Sequence, residues 1–182
     1  MTETATATLR RIMWELPILN QGSGDACVGY AFASAAGAPE AAERVYSIAK
    51  TLDRFAGEDY YGTTVAGGAE AAKALGIIES YEWLPGAAGV LAYLSRGPVV
   101  LGAYWTPGML KPYGDVMLVD APKHKSVAHC AVVVGYDPLD NEVCIQSSWG
   151  TAWGSNGRAY LKAEDLERLM FRTGEACLVV PA

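Results

Sequence analysis

The sequence has no excess of positive charge, no long apolar run and no stretch that reads as an export signal. Against 20 Asp and Glu stand 14 Lys and Arg, giving a formal charge of −6 and a pI near 4.9. Such a chain has no field for gathering phosphates, so nucleic acid is not expected as a partner. No apolar stretch reaches the roughly 20 residues of a membrane helix, so no membrane partner is expected either. Met1 to Arg11 is rich in Thr and Ala and ends on Arg10 and Arg11, without the apolar stretch and cleavage site of a signal peptide. The expected location is therefore cytoplasmic. Internal repeats, low-complexity tracts and long linkers are also missing. Charged residues make up 19% and hydrophobic ones 51% of 182 residues, which excludes disorder and allows a sizeable core.

Four cysteines are present: Cys27, Cys130, Cys144 and Cys177. Two disulfides would need an oxidising compartment and usually a small, loop-rich chain. Three of the four lie inside apolar runs, where cysteine behaves as a small hydrophobe, and are expected to be buried free thiols. Cys27 differs, because a Gly-rich polar loop precedes it.

The first half reads as helices and the second as strands, which predicts an α+β protein. Ala26 to Ala36 is a small-residue and aromatic run stopped by Gly37. Pro39 opens a segment with Val45, Ile48, Ala49, Leu52 and Phe55 at helical spacing, closed by Gly57. Val65 to Leu75 and Pro85 to Arg96 complete the helical part, ending at Gly76 and Gly97. Strands are expected at Pro98–Trp105, Asp115–Ala121, Val127–Tyr136, Glu142–Trp149, Arg158–Ala163 and Ala176–Val180, with one helix from Ala163 to Arg172. One domain over residues 1–182 is expected. Its helical lobe spans about 20–97 and its β lobe about 98–182, and the N-terminal segment crosses over to the β lobe.

The chemistry concentrates in three places. Pro17-Ile18-Leu19-Asn20-Gln21-Gly22-Ser23-Gly24-Asp25-Ala26-Cys27 is a loop of turn-formers that delivers a thiol to the first turn of an apolar helix. The positive end of the helix dipole favours thiolate there, while Asp25 opposes it, so a base is still required. Of only two histidines, His124 lies in the polar stretch Pro122–Ser126 and reads as a solvated loop residue. His129 begins the apolar strand His-Cys-Ala-Val-Val-Val-Gly-Tyr that ends at Tyr136. Third, Ser147-Ser148-Trp149-Gly150-Thr151-Ala152-Trp153-Gly154 sets two tryptophans among glycines.

Together these segments resemble the papain family of cysteine peptidases, whose pattern is Pro-x-x-Asn-Gln-Gly, the nucleophile six residues after the Gln, a His-Ala-Val strand ending Gly-Tyr, and Asn-Ser-Trp-Gly-x-x-Trp-Gly. The chain is most similar to the compact bacterial and bacteriophage members that lack a propeptide. The resemblance implies a helical lobe packed on an antiparallel β-sheet or barrel lobe, with the active site in the cleft between. It assigns Cys27 as nucleophile, His129 as general base and acid, and Gln21 with the Cys27 N–H as oxyanion hole. Trp149 would shield the hydrogen bond that orients His129, and Gly62 and Thr63 would belong to the cleft wall. No cofactor and no metal are implied. The implied partner is a peptide or protein substrate, and a phage origin would add a virion or host protein.

The chain departs from the family in four ways. Gly24 and Val28 replace a cysteine and an aromatic around the nucleophile, and the first change removes a usual disulfide. His129 follows Cys27 by 102 residues, fewer than the ~130–150 usual to the family's His and Asn. No propeptide is expected. Ser147 stands where the family has its orienting Asn. A hairpin centred on Pro138 would set His129 directly opposite Ser147, 18 residues on. Ser147 therefore leaves two other readings open: a catalytically weak or inactive binding or virion protein, and an acyl-transferring or deamidating relative.

Overall fold

The computed structural model describes residues 12–55, 57, 60–119, 127–172 and 174–182. Met1–Arg11 and His124 lie outside them. The order is β1 (Ile12–Met13), α1 (Cys27–Ala35), a 3₁₀ turn (Pro39–Ala41), α2 (Ala42–Leu52), α3 (Val65–Ala74), β2 (Ile78–Leu84), α4 (Gly86–Tyr93), β3 (Val99–Trp105), α5 (Pro107–Leu110), β4 (Val127–Asp137), β5 (Glu142–Gln146), β6 (Arg158–Lys162), α6 (Ala163–Arg172) and β7 (Glu175–Pro181). The protein is α+β. Three helices come first, and the strands form one antiparallel sheet in the order β2-β7-β3-β4-β5-β6, with β1 paired to β4.

Strand alternation sorts the side chains of this sheet into two cores. Val99, Leu101, Ala131, Val133, Val143, Ile145 and Leu178 face one side and pack with Val90 and Leu94, at and just beyond α4, and with Leu166 and Leu169 of α6. Val100, Cys130, Val132, Val134, Cys144, Cys177 and Val179 face the other side and pack under α1, α2 and α3. Close helix packing on that side depends on glycine. A Cβ on Gly29 would meet the Ala42 carbonyl at 2.4 Å, and one on Gly68 would meet Val28 Cγ1 at 2.3 Å. The small-residue run of α1 thus lets three helices cross at backbone distance, so that α1 lies flat on β4.

Two expectations need correction. Asp115–Ala121 is not a strand over its described residues. After the Tyr113–Val116 turn, only Val116 bridges to Tyr160, held by Met117 N–H to the Tyr160 carbonyl (2.8 Å) and Tyr160 N–H to the Asp115 carbonyl (2.6 Å). β2, in turn, sits inside the stretch read as helical. It is an edge strand whose only buried residues are its two ends, Ile78 and Leu84, and β7 holds it in the sheet.

Candidate active site

Cys27 is the first residue of α1. Its N-cap is Ala26, which has no side chain able to cap, and the first turn holds no acidic residue. The orphan N–H groups of the helix start therefore remain available. The Cys27 sulfur takes them up, accepting from the Val28 N–H and its own, and from the Cys130 N–H of β4. This last contact sets the sulfur against the peptide that joins His129 to Cys130. Burial pushes the thiol above its ordinary value, the three N–H donors pull it down, and the Asp25 carboxylate pushes it up again, with a net rise. Cys130, Cys144 and Cys177 are buried free thiols, and only Cys27 is partly exposed.

His129 is 6% exposed. Its Nε2 lies 3.2 Å from the Ser147 Oγ. The Trp149 ring stacks on the imidazole at 4.1 Å and 24°, and Trp105 meets it edge-on at 4.5 Å and 75°. Burial alone pushes the imidazole pKa down to about 3, so the ring is neutral across the physiological range. The Cys27 and His129 side chains share no hydrogen bond with each other.

Gln21 is tied to the turn carrying Trp149. Its backbone N–H donates to the Ser148 carbonyl (2.9 Å), its Oε1 accepts from the Ser148 hydroxyl (2.5 Å), and its Nε2 donates to the Gly24 carbonyl (2.5 Å). Asn20 bridges to Trp149, and the Gly150 N–H donates to the Leu19 carbonyl at 2.9 Å. The loop that holds Gln21 and the lid over His129 are one stapled unit. One amide hydrogen of Gln21 is used on Gly24, which leaves the other for a second acceptor.

Gly62 and Thr63 have different fates. Gly62, at φ +85°, lies beside the Asp25 carbonyl, 3.9 Å from where its Cβ would be. The Thr63 hydroxyl is committed to the buried Asp53 carboxylate (2.5 Å), which also accepts from the Tyr60 hydroxyl and the Phe55 N–H. Lys50 donates to the Tyr60 carbonyl at 2.7 Å. The Tyr60–Thr63 wall is thus clamped to the end of α2.

Two residues of the site escaped the sequence reading. Trp105 ends β3 as the floor of the His129 box, 1% exposed, with an Nε1 that has no partner among the described residues. Nothing local marks it apart from any other strand aromatic. Gln146 is 2% exposed, and its amide donates to the Pro17 carbonyl and the Ser34 hydroxyl (both 2.9 Å) while its Oε1 accepts from Arg158 (3.0 Å). From the end of β5, one residue before Ser147, it joins the start of the Gln21 loop to α1 and to β6. Its polarity inside an apolar strand was the available signal. Among the described residues no group of three or more His, Cys, Asp or Glu is placed to hold a metal ion, and no helix is long and apolar enough to cross a membrane.

The fold is that of the papain-like cysteine proteases. Xylellain, a cysteine protease from Xylella fastidiosa, superposes with a TM-score of 0.73 at 15% identity, over 94% of this chain and 86% of that one. Digestive procathepsin L 3 of Tenebrio molitor gives 0.68 at 15%, over 98% and 72%. Bromelain from Ananas comosus, in complex with the E64 inhibitor, gives 0.67 at 14%, over 96% and 100%. In sequence, gamete and mating-type specific protein A of Dictyostelium discoideum is 31% identical over 78 residues, which span 43% of this chain but only 17% of that protein. No protein-family profile matches the chain.

Proposed function

We propose that the chain is a cysteine peptidase that cleaves peptide bonds through a thioester on Cys27. The observation that carries this reading is the Cys27 sulfur at an uncapped helix start, hydrogen-bonded to the N–H of Cys130, the residue after a Ser147-held histidine. With Nε2–H donating to Ser147, the lone pair of His129 sits on Nδ1, the atom that takes the thiol proton as sulfur attacks the carbonyl. Because the imidazole is neutral and the thiol protonated at rest, proton transfer accompanies attack instead of preceding it. As the sulfur turns to the carbonyl carbon it gives up the Cys27 N–H, which with the free hydrogen of the Gln21 amide receives the tetrahedral oxygen. Nδ1–H then protonates the leaving amine, and water, deprotonated by the same nitrogen, releases the acid.

The test is intact-mass analysis after exposure to a peptidyl epoxide. A single adduct on the wild type and none on Cys27→Ala is the expected result. No adduct, together with no turnover of any peptide, selects the inactive binding reading that Ser147 leaves open.

A further inference from the structure

Cys130 carries a thiol that the peptidase chemistry does not use, and it lies against the thiol that the chemistry does use. It follows His129 on β4, and strand alternation turns the two side chains to opposite faces of the sheet. Cys130 is 2% exposed and belongs to the apolar layer under α1, against which Cys27 also packs. The Cys27 sulfur accepts the Cys130 N–H. That nitrogen is about 2.5 Å from the Cys130 Cβ by covalent geometry, so one sulfur stands beside the backbone from which the other hangs. A disulfide asks for Cβ atoms about 4 Å apart, which is the scale of this contact.

The other two thiols share that face of the sheet but lie farther off. Cys144 is opposite Gly135, five residues along β4 from Cys130, or about 17 Å. Cys177 is opposite Val100, which is opposite Val132, so it stands two strands from β4, roughly 10 Å away. Exposure orders the thiols as well. Cys27 is partly exposed and the other three are buried, so an oxidant in solution meets Cys27 first.

We propose that Cys130 is a resolving thiol, which closes on Cys27 after a hydroperoxide has oxidised it and leaves a reversible Cys27–Cys130 disulfide. The Cys27 thiolate attacks one peroxide oxygen, the O–O bond breaks, and water or an alcohol leaves. Sulfur is oxidised to the sulfenic acid and the peroxide is reduced. The Cys130 sulfur then displaces the sulfenic hydroxyl, which departs as water with the Cys130 proton. A dithiol reductant returns both thiols and is itself oxidised to its disulfide. While the link stands, the nucleophile is tied into the floor under α1. It is also spared the next step of oxidation, to the sulfinic acid, which a dithiol does not reverse. The proposal needs only the two thiols, and so goes beyond the peptidase reading without resting on it.

The test follows thiols and mass, not cleavage. Burial keeps both thiols protonated near neutrality, and the thiolate is the form that reacts, so the reduced protein is treated at pH 9. Hydrogen peroxide is added in about ten-fold excess, and free thiols are counted after acid quenching and denaturation. The wild type is expected to lose two of its four thiols and about 2 Da, with the Cys27 peptide linked to the Cys130 peptide. Dithiothreitol should restore all four and the labelling of Cys27 by iodoacetamide. Cys130→Ala keeps the N–H that holds the sulfur, and a melting curve checks that it is folded. It should instead gain about 32 Da at Cys27, and the labelling that dithiothreitol recovers should fall at least five-fold. Sulfinic acid formed as readily in the wild type as in the variant, a link from Cys27 to Cys144 or Cys177, or no oxidation of Cys27 overturns the proposal. A wild type that forms the link but cleaves no peptide supports it and overturns the peptidase reading alone.

Discussion

Ser147 reaches His129 because of a bulge at Val134. Near the turn, β4 and β5 pair as Asp137 with Glu142, Tyr136 with Val143 and Gly135 with Cys144. Continued unbroken, that register would set Ser147 opposite Val132, on the α1 face and away from the imidazole. The pairing instead shifts between Val133 and Gly135, so that Val133 meets Ile145 and Val132 meets Gln146. Carried one step past the end of β5, that register turns Ser147 to the face His129 shares, where its Oγ lies 3.2 Å from Nε2. The extra residue, Val134, is buried under the helices, and its carbonyl accepts the Trp14 N–H at 2.7 Å. A single inserted residue thus decides which face the Ser147 hydroxyl occupies.

The first prediction follows from that contact. A hydroxyl 3.2 Å from Nε2 holds the ring, but a Ser side chain is short and rotates freely. Ser147→Asn is expected to raise kcat and Ser147→Ala to lower it about ten-fold, with KM little changed. Single-turnover assays of the three proteins measure this. Identical rate constants would show that Ser147 does not orient the base.

Much of this site was legible before the fold. The six-residue interval from Gln21 to Cys27 and the tryptophan turn were visible because turn chemistry and glycines are local signals. The hairpin joining His129 to Ser147 was also visible, though centred on Pro138. It closes instead around Leu139 and Asp140, where Leu139 N–H donates to Asp137 Oδ1 and Asn141 takes φ +54°. That displacement and the bulge add up to two residues, which preserves the facing but sets Ser147 diagonally from His129. Neither the bulge nor edge strand β2 could be read from local pattern. A bulge is set by what pairs on both sides of a strand, and β2 buries only its two ends. Trp105 was missed for a similar reason: its role comes from the rings it meets across the sheet.

A second prediction concerns pH. His129 has an ordinary pKa of 6.5 when unfolded and about 3 when folded, because burial disfavours the imidazolium. Between these values the unfolded chain binds the extra proton, so stability rises with pH there. The full contribution is present above pH 6.5 and is lost as pH falls toward 3, by up to about 1.4 kcal/mol per unit. Melting temperatures should fall between pH 7 and 4, and His129→Gln should flatten that slope. A slope unchanged in the variant would assign the acid sensitivity to other groups.

The resting thiol gives a third. Burial and Asp25 outweigh the three N–H donors, and the neutral imidazole supplies no countercharge. Alkylation by iodoacetamide is therefore expected at Cys27 alone, since the other three thiols are buried. Its rate should climb with pH beyond 9, and Asp25→Asn should move the profile to lower pH. A rate already constant from pH 5 upward would mean a thiolate–imidazolium pair.

Gln21 tests the oxyanion role separately from structure. Gln21→Ala removes a donor to the tetrahedral oxygen, so kcat/KM should drop ~10²–10³. It also removes the bonds to Ser148 and Gly24, which in this half-exposed loop contribute about 1–2 kcal/mol. The two effects separate when turnover is measured well below the variant's melting temperature. A loss of activity that vanishes on cooling would reduce Gln21 to a loop staple.

Gln146 sits beneath all of these contacts and gives the last prediction. Its side chain is the junction of the Pro17 carbonyl, the Ser34 hydroxyl and the Arg158 guanidinium. Ser34 also donates to Pro17 (2.8 Å), and Arg158 pairs with Glu15 (3.1 Å). Replacing the amide by Leu keeps the volume but leaves the half-buried Pro17 carbonyl one donor short and the Arg158 Nε–H without its Gln146 acceptor. That should cost about 2–3 kcal/mol in urea unfolding. Activity should fall more than the lost stability explains, because the same amide ties the entry of the Gln21 loop to α1 and to the end of β5, one residue before Ser147. Gln146→Glu preserves the acceptor for Arg158 but not the donors, so it should restore the Arg158 contact and leave the loop unanchored. If Gln146→Leu melts earlier yet turns over normally at 15 °C, the junction supports the fold alone and does not position the site.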